Sequence, residues 1–160
     1  MKAKILILFL IIVGILNAQD TQDVKVEIIS PNKILKIIKA DRDGLSQLIL
    51  TGNNGNITVE IKDRRIKKGD TAELILRKGK LIVYDVSQYI NDGGITITGN
   101  KAKEIYYNLY NIEFLFLDVN NIEHSTFILT KLTTELRKYK KPFRADDFLL
   151  FDKKIKALIN

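Results

Sequence analysis

The stretch Ile57-Thr58-Val59-Glu60-Ile61 alternates apolar and polar side chains at every step. A period of two marks a strand with unlike faces, because successive side chains of an extended chain point to opposite sides. The same alternation recurs between Val24 and Val119. Ala72, Leu74 and Leu76 oppose Glu73 and Arg77, with Ile75 on the second face; Ile95 and Ile97 oppose Thr96 and Thr98. Ile112, Phe114 and Phe116 oppose Glu113, while Leu115 and Leu117 make that segment apolar on both sides. Leu81-Ile82-Val83-Tyr84 is also two-sided and is expected at the centre of a sheet.

Turn residues punctuate these runs. Asp43-Gly44, Gly52-Asn53-Asn54-Gly55, Lys68-Gly69-Asp70, Lys78-Gly79-Lys80, Asp92-Gly93-Gly94 and Gly99-Asn100 all tolerate positive φ. Short strands at this spacing predict an all-β sandwich, barrel or jelly roll. Pro31 and Pro142 are the two prolines, and neither heads a linker, so no boundary divides the chain. The last third reads both ways. Ile128, Leu132, Leu136 and Tyr139 have helical spacing, whereas Thr126, Phe127, Thr130, Thr133 and Thr134 favour strand. Asp146 is placed to cap a helix bearing Phe148, Phe151, Ile155, Leu158 and Ile159 on one face. An α+β fold with one or two C-terminal helices is therefore the alternative.

The beginning of the chain sets the expected compartment. Lys2 and Lys4, the apolar run Ile5–Leu16 and the small residue Ala18 follow the three-part layout of a secretory signal peptide. Residues 1–18 are thus expected to be removed, leaving residues 19–160 as a single exported domain in the periplasm. There is no cysteine, which excludes disulfides, thiolate metal sites and a lipoprotein-type anchor. The formal charge of +7 suits anionic partners, but export and the lack of a reading motif argue against nucleic acid.

Chemistry-bearing patterns are sparse. His124 is the only histidine, and no His-based metal site or Ser–His–Asp relay is expected around it; a loop or surface position is. Asp41-Arg42-Asp43-Gly44 lacks the downstream ligand of a calcium loop and reads as a tight turn. Asp146 and Asp147, as sequence neighbours, would point apart on a strand. Lys67-Lys68-Gly69-Asp70 lacks the glycine-rich approach of a phosphate loop. Tyr106, Tyr107 and Tyr110 could stack on sugars, or simply occupy half-buried positions. The expectation is a non-enzymatic protein without cofactor or metal.

One short phrase recurs. Ala40-Asp41, Leu50-Thr51-Gly52-Asn53, Ile97-Thr98-Gly99-Asn100-Lys101-Ala102 and Arg144-Ala145-Asp146-Asp147-Phe148-Leu149-Leu150-Phe151-Asp152 share an Ala-Asp or Gly-Asn cadence. This language resembles that of the OstA-like periplasmic lipopolysaccharide-transport family over roughly Val24 to Asn160, although Ser125–Lys141 matches poorly and Lys101-Ala102-Lys103 replaces an Ala-Asp pair. The resemblance implies an incomplete β-jellyroll, an open slot-like sheet that holds acyl chains, and it turns both ambiguous C-terminal stretches into strands. Its apolar lining would comprise Ile57, Val59, Ile61, Leu74, Leu76, Ile95, Ile97, Ile112, Phe114 and Phe116. Arg64, Arg65, Lys67 and Lys68 would form a cationic rim for lipid phosphates, and Arg137, Lys138, Lys140 and Lys141 a second basic cluster. Implied partners are lipopolysaccharide or a similar envelope lipid, and other β-slot proteins or further copies joined through edge strands. The rival readings are a glycan-binding or adhesion-type β-sandwich, and an envelope scaffold or inhibitor acting through surface contacts.

Overall fold

The computed structural model describes residues 24–29, 34–110 and 112–138. The expected signal peptide at residues 1–18, Pro31, and everything from Tyr139 onward, including the phrase at Arg144–Asp152, lie outside the described residues. The described residues are mainly β. One sheet contains β1 (Lys25–Ile29), β2 (Ile34–Ala40), β3 (Gln47–Asn53), β4 (Asn56–Lys62), β7 (Ile90–Asn91) and β8 (Gly94–Ile97), in the order β1-β2-β3-β4-β8-β7. The other contains β5 (Ala72–Lys78), β6 (Lys80–Asp85), β9 (Phe114–Val119) and β10 (Ile122–Ile128), in the order β10-β9-β5-β6. Both sheets are open and antiparallel throughout.

Local chemistry sets the hairpins. Asn54 and Gly55 join β3 to β4 with φ of 48° and 81°, and Asn120 and Asn121 join β9 to β10 with φ of 53° and 65°. Two central residues with positive φ give a type I′ turn, whose twist matches that of the strands it connects. Period-two patterning then aligns the dry faces. Ile37, Leu50, Val59 and Ile97 fall in one cross-strand row, and Leu48, Ile61 and Ile95 in the next. From the second sheet Leu74, Leu76, Leu115, Leu117 and Phe127 meet them in one core. Each such side chain contributes roughly 1.5–3 kcal/mol when fully buried.

Two helices complete that core where extended chain was expected. The first, α1 (Gly99–Leu109), buries Ala102, Ile105, Tyr106 and Leu109, a 3-4-7 spacing that no strand could place on one face. Gly99-Asn100 is therefore the entry to a helix, with Gly99 at φ 67°, and not a turn between strands. The second, α2 (Thr130–Lys138), corrects the strand reading of this part of the tail. Its threonines carry strand propensity, but Leu132 and Leu136 are buried one helical turn apart. Thr133 and Thr134 return their hydroxyls to the Thr130 carbonyl at 2.9 and 3.1 Å. Ser125–Ile128, by contrast, are strand as the resemblance implied. Among the described residues no helix is long and apolar enough to cross a membrane.

The centre-strand reading of Leu81–Tyr84 is also corrected. β6 is the edge of the four-stranded sheet, with Tyr84 buried beneath it while Leu81 and Val83 stand 66% and 51% exposed. An apolar residue on both faces does not by itself require a neighbour on both sides.

Candidate functional site

The ten residues expected to line an apolar slot separate into two groups. Ile57, Val59, Ile61, Leu74, Leu76, Ile95, Ile97 and Ile112 are each at most 4% exposed and belong to the shared core. Phe114 and Phe116 alternate with the buried Leu115 and Leu117, so they lie on the opposite, outer face, with ring centroids 6.2 Å apart. Ile112 precedes β9 and is not in phase with them. The inner wall is covered by α1 and α2. These helices are tied by the Tyr110 hydroxyl, which donates to the Leu136 carbonyl at 3.2 Å, and α1 is tied to β6 by Asn108, which donates to the Tyr84 hydroxyl. Tyr106 is 1% exposed in this layer, which removes it from any exposed sugar-stacking surface.

At one end of the molecule the inward-facing row turns polar while the alternation continues. After Ile57, Val59 and Ile61 comes Asp63; after Leu50 and Leu48 comes Ser46; after Ile37 and Lys39 comes Asp41. Asp41, Ser46 and Asp63 are 2%, 0% and 3% exposed. Backbone bonds keep the row aligned: the Asp41 amide donates to the Ser46 carbonyl, and the Asp63 amide to the Gly93 carbonyl, both at 2.9 Å. The Asp41 carboxylate accepts the Ser46 amide at 3.0 Å, so the predicted tight turn is closed by its own side chain.

Asp63 is the hub of this end. Its carboxylate accepts the Arg65 amide at 2.8 Å, the Arg65 guanidinium, the Ser46 hydroxyl and His124 Nε2–H at 3.0 Å. Ser46 in turn meets the Ser125 hydroxyl, also buried. Burial alone would raise the Asp63 pKa, but the Arg65 and Ser46 hydrogen bonds outweigh it and hold the carboxyl well below the usual carboxylate range. The expected surface or loop position for His124 is corrected: it sits at a register shift in β10, with its side chain 18% exposed against Asp63. A bulge re-aims a side chain in this way. Serine, histidine and aspartate do converge here, unlike the sequence expectation. Their bonding differs from a relay, because the Ser46 hydroxyl donates straight to the carboxylate, and a carboxylate saturated by donors is a poor base. The cluster joins the two sheets, together with the Arg42 amide donating to the Thr126 carbonyl at 2.9 Å.

Against this hub lies an open groove of about 610 Å³, lined by Gly44, Leu45, Gln47, Lys62, Asp63, Arg64, Arg65 and Gly93. Two of the four predicted rim cations, Arg64 and Arg65, border it. Arg65 is committed to Asp63, with 2.9 Å from Nε to Oδ1. Lys67 and Lys68 do not line it; they lie on the loop beyond, their amides donating to Asp70 and Asp92 at 2.8 and 3.0 Å. The cation that sequence reading missed is Lys62, at the end of β4 on the face opposite Ile61. The groove thus pairs Lys62 and Arg64 with the exposed apolar side chain of Leu45.

Comparison of the chain with family models, with curated proteins and with solved structures finds no match.

Proposed function

We propose that this protein is an exported, non-enzymatic binder of an amphiphilic envelope lipid of the lipopolysaccharide type. In this reading the acyl part enters between the sheets and the anionic head rests in the groove. The observation that carries it is adjacency. The groove with Lys62 and Arg64 is backed by Asp63, one inward-facing position beyond Ile61 in the apolar interior. A phosphate there would meet two cations without displacing the Asp63–Arg65 pair. Because α1 and α2 occupy the interior, acyl entry requires these helices to swing aside as a lid, breaking the Tyr110–Leu136 bond. Of the OstA-like cadence, Ala40 and Leu50-Thr51-Gly52-Asn53 end strands as this reading requires, while Gly99-Asn100 opens α1.

A fluorescent acyl probe tests it. Saturable binding is expected, with displacement by lipopolysaccharide. Lys62→Glu combined with Arg64→Glu should weaken that displacement at least about tenfold, roughly 1.4 kcal/mol, and leave an uncharged probe unaffected. A probe that never saturates would end the acyl reading.

The edge strands are the proposed route to other β-slot proteins or further copies. β1 is one such edge, and its Ile28 is 70% exposed. Light scattering across a concentration range should detect self-association, and a strict monomer throughout counts against pairing of copies.

A further inference from the structure

We infer that the outer face of the four-stranded sheet, at the β5–β6 hairpin end, is a docking surface for an anionic lipid bilayer. Cross-strand register places Val83, Ile75 and Phe116 in one outward-facing row, and Leu81, Arg77, Phe114 and Ile128 in the next. Leu81 and Val83 are the most exposed of these apolar side chains, and none of the six is fully buried. Leu81 and Val83 stand exposed at the edge of this strip, the other four are half-buried, and an apolar strip of this kind marks a site of contact with another phase or partner.

Charge identifies the occupant. Arg77 lies within the apolar patch, and Lys80, which alternation places on the Tyr84 side of β6, is exposed at the tip of the hairpin beside it. At the opposite end of the same face the register lines up Asp85, Glu73, Asp118 and Glu123 across all four strands. A bilayer with anionic headgroups would attract the hairpin end and leave the carboxylates in water, a tilted approach with apolar tips inserted and cations at headgroup level. Face-to-face packing of two copies is disfavoured by the same arrangement. It would press Asp85, Asp118 and Glu123 of one copy against apolar side chains of the other, with Arg77 as the one cation in these two rows. This inference does not depend on the acyl-binding reading, since it uses neither the interior nor the groove.

The chain has no cysteine, so single-cysteine labelling of the full-length protein reports one position at a time. An environment-sensitive fluorophore at Val83→Cys should shift to the blue and resist iodide on phosphatidylglycerol-containing vesicles. The same label at Asp43→Cys, in the β2–β3 turn, should stay in water. This pair separates docking through the sheet from any contribution of the apolar N-terminal segment. Adding Leu81→Asp should abolish the shift, and Lys80→Ala should weaken it about fivefold. A Val83 label that stays quenchable on anionic vesicles overturns the proposal. So does equal shielding on phosphatidylcholine-only vesicles, or concentration-dependent shielding without vesicles, which would assign the face to a second copy.

Discussion

Asp63 shows what one side chain contributes when the alternation of a strand carries it inward. Ion pairing with Arg65 is moderated by solvent, because the arginine side chain is 42% exposed, while the carboxylate is 1% exposed. The larger cost of change is an unsatisfied cluster. Asp63→Asn should destabilise by about 2–3 kcal/mol in denaturant unfolding, through lost charge-assisted bonds to Arg65, Ser46 and His124. The sign of the pH dependence follows from the depressed carboxyl. In the unfolded chain Asp63 titrates at about 3.9, so its stabilisation is complete above that value and is lost as pH falls towards the lower folded value. An asparagine side chain has no proton to exchange in that window. If the Asp63→Asn variant loses stability on acidification as steeply as the wild type, the hub has been misjudged.

At the level of elements, the β4–β8 pair shows how closely backbone approach is specified. Gly94 opens β8 at φ 154°, opposite Lys62, and a Cβ there would overlap the Ile61 carbonyl oxygen. Gly94→Ala should therefore push β8 off β4 and cost on the order of 3 kcal/mol, read as a lowered thermal midpoint. Gly79, with nothing near its missing Cβ, provides the comparison at a position strained by its φ of 65° alone. Gly79→Ala should cost about 1 kcal/mol. Equal losses at the two sites would show that the close approach at β8 is not limiting. Thr130–Lys138 has threonines that suit a strand, and the outcome is decided by where Leu132 and Leu136 find apolar neighbours.

For the molecule as a whole, two open sheets leave edges and faces that a closed barrel would lack. The three binding experiments each read a different surface: the interior with its groove, the strand edges, and the outer face. A protein that binds acyl probe but ignores vesicles, or the reverse, would separate a carrier role from a membrane-docking one. The mainly-β architecture was legible from Ile57–Ile61 and its neighbours, since a half-buried strand writes its geometry directly into a period of two. The cation pair in the groove was half legible. Arg64 stands in an evident basic cluster, but Lys62 looks like an ordinary outward-facing strand residue until the β2–β3 turn folds beside it.

The alternation in β4, β5, β8 and β9, the Asn54-Gly55 turn and the apolar rows of Ile57–Ile61, Ala72–Leu76 and Ile95–Ile97 were readable along the chain, because they depend on interactions within a few residues. Long-range packing settled that Gly99–Leu109 and Thr130–Lys138 coil over the apolar wall, that β6 ends a sheet, and that Asp63, Ser46, Ser125 and His124 meet. Those outcomes follow from long-range burial and hydrogen-bond satisfaction between segments up to 79 residues apart, which no local pattern encodes.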